Sequence, residues 1–62
     1  MKTIFEVNNE NILEFAEVLT ENDLQNRIIG LSGEEDILIE VTHTRHDREC
    51  MDDLIDLAHS ED

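Results

Sequence analysis

Residues 36–43 carry the strongest constraint in the chain: Ile37, Ile39 and Val41 alternate with Leu38, Glu40 and Thr42. Period-two alternation of this kind marks a strand with one side against a core. Such a strand needs sheet neighbours and a layer to cover its apolar side. The rest of the chain offers both. Residues 2–7 read as a second strand, with Phe5 and Val7 on one side and Lys2, Ile4 and Glu6 on the other. Residues 26–31 read as the first arm of a hairpin with 36–43. Ser32-Gly33-Glu34-Glu35 forms the turn between them, with Gly33 available for a positive φ. Gly30 weakens that first arm or marks a bulge.

Two segments have helical period instead. Asn8 is expected to cap the first helix, with Val7 and Ile12 as a hydrophobic staple. That helix runs to about Leu19. Its apolar stripe is Ile12, Phe15, Ala16 and Leu19, with Leu13 at the flank and Val18 outside it. Thr20 and Asp23 fit a capping box with Leu19 and Leu24 as its staple, which predicts a break and a short second turn. Thr44 and Asp47 fit another box, opening a helix whose stripe is Cys50, Met51, Leu54, Ile55 and Ala58.

The order β-α-β-β-α predicts an α+β fold. A crossover makes the first two strands parallel, and the hairpin inserts its second arm between them. The sheet order is then 1-3-2, with both helices on one face. This layout resembles a ferredoxin-like βαββαβ fold lacking its last strand. Fold resemblance implies nothing about function. The absent strand would leave the outer edge of strand 1 unpaired, and natural proteins seldom leave an edge so. A homodimer through the strand 1 edge is therefore expected.

Sixty-two residues suffice for a single domain over 1–62 with a thin core. Cys50 is the sole cysteine, so no internal disulfide supports it. The thiol and an N-terminus without an apolar leader point to the cytoplasm. No segment approaches the roughly 18 apolar residues of a membrane span. Seventeen acids against four bases give a net charge of -13. That opposes direct binding to nucleic acid and docking on an anionic membrane, and favours partners with basic surfaces. Charge alone would permit disorder, but 39% apolar residues in regular periods and no proline argue for a fold.

The acids are arranged in rows. Glu10, Glu14, Glu17 and Glu21 project to one side of the first helix, opposite its apolar stripe, and Glu49, Asp52, Asp53 and Asp56 do the same on the last. Like charges one turn apart cost about 0.2–0.5 kcal/mol per pair. Asp56, Glu61 and Asp62 also crowd the negative end of a helix dipole. If both helices cover one sheet face, the rows form a broad negative wall. Carboxylates one turn apart stand about 5–6 Å from each other, close to the phosphate spacing of a nucleic-acid strand.

Three function classes follow. The leading expectation is a protein-interaction module that binds a basic or self-complementary protein through the acidic rows, or through an apolar patch of Ile4, Ile28 and Leu38 on the open sheet face. The alternative is a nucleic-acid mimic that blocks a DNA- or RNA-handling protein. The third is a small metal-binding domain, for which His43, His46 and Cys50 are weak candidates because their spacing matches no zinc pattern and a fourth ligand is lacking. No cofactor is expected. An enzyme is not expected either: a thin core rarely builds a desolvated cleft, no glycine-rich phosphate loop is present, and nothing orients a base for Cys50. Phe5 and Phe15 are both assigned to the core, which leaves no aromatic platform for single strands.

Overall fold

A computed structural model describes residues 1–33 and 35–60, with His59 and Ser60 as backbone; Glu34, Glu61 and Asp62 lie outside the described residues, and so do the expectations placed on them. The elements run β1 (Lys2–Asn8), α1 (Ile12–Glu21), β2 (Gln25–Ser32), β3 (Asp36–Thr42), a single 3-10 turn (Arg45–Asp47), α2 (Arg48–Leu57) and β4 (His59–Ser60). The sheet order is β2-β3-β1-β4. β3 is antiparallel to both β1 and β2, so those two are parallel to each other. The α+β fold with order 1-3-2 is the expected one. Beyond it, β4 adds a two-residue rung to β1, opposing Phe5 and Glu6.

Register fixes which side of the sheet is covered. Thr3 opposes Val41, Phe5 opposes Ile39, and Val7 opposes Ile37. Directly opposed residues point the same way, and Thr3, Phe5, Val7, Ile39 and Val41 are all buried. Phe15 and Leu19 of α1 and Cys50, Met51 and Leu54 of α2 complete the same core. Both helices therefore lie on one face. The Phe5 and Phe15 rings meet edge to face, with centroids 5.3 Å apart and planes at 64°, a geometry that suits the aromatic quadrupole.

The α2 entry forms as expected. Thr44 and Asp47 make a reciprocal capping box: the His46 N–H donates to Thr44 Oγ1 at 3.3 Å, and the Thr44 N–H donates to Asp47 Oδ2 at 2.9 Å. The box opens the 3-10 turn, which runs straight into α2.

The α1 ends differ from expectation. Asn11, not Asn8, stands at the N-cap position, and it makes no side-chain cap bond. Asn8 turns the chain instead: its Oδ1 accepts from the Glu10 N–H at 2.9 Å, and its carbonyl accepts from the Asn11 N–H at 2.9 Å. This Asx turn uses the side chain that a cap would need. At the other end, Thr20 lies inside α1 and its hydroxyl donates to the Ala16 carbonyl at 2.9 Å. The Leu24 N–H reaches the Leu19 carbonyl at 3.0 Å, and the Asp23 N–H reaches the Thr20 carbonyl at 3.2 Å. With Asp23 at φ 53, this is a Schellman closure, and the Leu19–Leu24 pair is its apolar contact. The residues singled out as a second helix start are the end of the first helix.

Burial shifts the helix stripes slightly. Val18 packs against the core while Ala16 is exposed, and Leu13 is 71% exposed. In α2, Ile55 is 51% exposed, and Leu57 packs in its place. Each buried face is centred a little to one side of the sequence stripe, because each helix meets the other as well as the sheet. In the hairpin the left-handed residue is Glu35, at φ 68, and no glycine has positive φ. Gly30 does mark a bulge, where the β2–β3 register shifts between Ile28 and Gly30. No described helix is long and apolar enough to cross a membrane.

Candidate functional site

The acidic rows take shape from the helix phases. In α1 the buried residues Phe15 and Leu19 turn Glu14, Glu17 and Glu21 to solvent. In α2 the burial of Cys50, Met51 and Leu54 turns Glu49, Asp52, Asp53 and Asp56 outward. Glu10 is exposed too, but it belongs to the turn before α1 and only extends the row. Because both helices share one face of the sheet, the rows lie on one side of the protein. Among the described residues the ion pairs are Lys2–Glu40 and Arg27–Glu40, so none of these eight carboxylates has a cation within 4.0 Å. Without an ion-pair contact among the described residues, these carboxylates are screened mainly by solvent and salt.

Where α2 ends, the β1 edge carries a concavity. Asp56 borders a cleft of about 280 Å³ with Glu6, Asn8, Asn11, Asp36 and Ile55. Asp36 is already held there, accepting from Asn8 Nδ2 at 3.2 Å.

The expected apolar patch on the open sheet face does not assemble. Ile4 and Leu38 do face that side and are half-buried. Ile28 opposes Ile39, so it points to the helix side, where it is 68% exposed. A one-residue change of register sends every side chain to the other face, and the hairpin register puts Arg27 rather than Ile28 opposite Glu40. Glu40 then sits between two cations, with Arg27 Nε at 3.1 Å and Lys2 Nζ at 4.0 Å. The open face is thus a polar surface centred on one shared carboxylate. The Arg27/Glu40 charge pair was the sequence signal that could have set this register.

The histidine-cysteine cluster is dispersed into structural roles. Cys50 is buried, and its Sγ–H donates to the Asp47 carbonyl at 3.0 Å. His43 Nε2 shares a hydrogen bond of 2.9 Å with Thr3 Oγ1, across the β1–β3 side of the sheet. His46 is exposed in the 3-10 turn. Among the described residues no group of three His, Cys, Asp or Glu side chains is arranged to hold a metal ion.

One exposed apolar line runs along β2, and of its residues only Ile28 belongs to the patch expected from the sequence. β2 contributes no residue to the core, and Ile28, Ile29 and Leu31 are exposed along it at 68%, 40% and 77%. The signal was present: residues 25–32 are free of acids in a chain that has seventeen. No family model matches the chain, and no curated protein or solved structure matches it either.

Proposed function

We propose that this protein is a small cytoplasmic interaction module that binds a basic protein partner through its helix layer, and that it works by binding rather than catalysis. The single observation that supports this most is the set of exposed carboxylates Glu14, Glu17, Glu21, Glu49, Asp52, Asp53 and Asp56, on one side of the sheet and without paired cations among the described residues. A folded chain gains nothing in stability from like charges one helical turn apart. Such a layer gains its stabilisation when a basic surface approaches. The cleft beside Asp56 offers a place for one lysine or arginine of that partner. A binding role also fits the thiol of Cys50, which is buried and hydrogen-bonded to backbone. The single free cysteine favours a reducing compartment.

The acidic spacing keeps a second reading in view, in which the partner handles DNA or RNA and the layer takes the place of a phosphate backbone. Both readings predict steep salt dependence. The test uses the protein as bait for affinity capture at low and high salt, beside the double variant Glu14→Lys/Asp53→Lys, with bound proteins identified by mass spectrometry. The expected result is a partner that the variant loses and that salt releases. A partner held equally by both baits would sink the proposal, and the identity of a lost partner separates a nucleic-acid-handling protein from other basic proteins.

A further inference from the structure

We infer that β2 is a self-association edge, pairing antiparallel with β2 of a second copy about a two-fold axis. β2 ends the order β2-β3-β1-β4, so one side of an eight-residue strand has no ladder partner among the described residues. Unpaired edges of this length are templates for another strand, and proteins usually blunt them with short length, lysine or proline. This edge has none of the three. Its defence is the bulge at Ile28/Gly30, which bends the strand. The opposite edge differs, because β4 covers the middle of β1 at Phe5 and Glu6. The mate expected at strand 1 is therefore assigned to β2.

Charge selects the occupant. Two copies of a chain with net charge -13 repel each other over most of their surface. Residues 25–32 contain no acid, and their one cation, Arg27, is held by Glu40 of its own chain. Edge-to-edge pairing of two such strands keeps carboxylates out of the ladder itself and leaves the exposed Asp23 and Glu35 at its ends. It also matches an eight-residue edge with one of equal length. Ile28 and Leu31 share the helix side of the sheet, since they oppose Ile39 and Ile37, so those of the two copies meet across the new ladder. Three exposed apolar side chains and one strand edge fall short of the roughly 1,600 Å² of a standard interface. The dimer is accordingly weak, and salt strengthens it by screening the repulsion.

Sedimentation equilibrium of the full chain over a wide concentration range, at low and high salt, tests this. The expected result is a monomer–dimer equilibrium that tightens with salt, and that Ile28→Ser/Leu31→Ser weakens by at least about tenfold. Far-UV circular dichroism checks that the variant stays folded, and Leu31→Ser alone gives a milder second case. A chain that is monomeric throughout, or a dimer indifferent to both substitutions, overturns the proposal. The salt response has the opposite sign to that of the acidic layer. The Glu14→Lys/Asp53→Lys variant should still dimerise, so the two ideas fail separately.

Discussion

β1 and β2 flank the same central strand and carry comparable apolar content, yet their fates differ. β1 buries Thr3, Phe5 and Val7 in strict alternation, while β2 buries nothing. Ile28 opposes Ile39 just as Phe5 does, so pairing alone does not explain the contrast. The difference is the layer above. Side chains of α1 and α2 fill the space over β1 and β3, and none of the core residues comes from β2. Hydrophobicity selects which side chains can be buried; the reach of the covering helices decides which ones are. With about 0.05–0.15 kcal/mol of stability per residue in an ordinary domain, a chain of this length depends heavily on the covered strand.

The largest break in that comparison should come from Phe5→Ala. Phe5 is fully buried and packs edge-on against Phe15, so truncation should cost about 3–5 kcal/mol. Urea unfolding should report it, and a loss below about 1 kcal/mol would mean that the core relaxes freely around the site. A smaller effect of opposite sign is expected from Asp23→Gly. Asp23 holds φ 53 where α1 hands over to β2. Glycine takes that conformation without the Cβ clash, so the variant should gain about 0.5–1 kcal/mol, visible as a higher melting temperature. A lower one would mean that the aspartate side chain holds the turn. The smallest effect should come from Ile28→Ser or Leu31→Ser in dilute protein. Both positions are exposed, and the expected change is within about 0.5 kcal/mol. A cost above about 2 kcal/mol for either would erase the distinction between the two strands.

These contrasts also explain what the sequence makes legible. The alternation of 36–42 and the Thr44–Asp47 box announce themselves because each rests on contacts within a few residues. Leu19, Thr20, Asp23 and Leu24 are equally visible, but the same spacing serves a helix start and a helix end, and only backbone direction separates them. Asn8 and Asn11 compete for one cap because asparagine suits both caps and turns. The face of Ile28 depends on a bulge and on hairpin register, which are non-local. β4 has two residues, too few for any period to register. In the candidate site, the acidic rows are legible from helix phase, whereas the dispersal of Ile4, Ile28 and Leu38 needs the sheet.

Glu40, flanked by Lys2 and Arg27, has a consequence on the scale of the whole molecule. It keeps half of the chain's Lys and Arg residues on the side of the sheet away from the helices. Negative charge is thereby weighted towards the helix side, and the two sides of the sheet differ in charge. In the field of an oppositely charged body such an uneven charge feels a torque before any contact forms. The molecule would arrive already turned, helices first, and fewer encounters would be wasted on the wrong side.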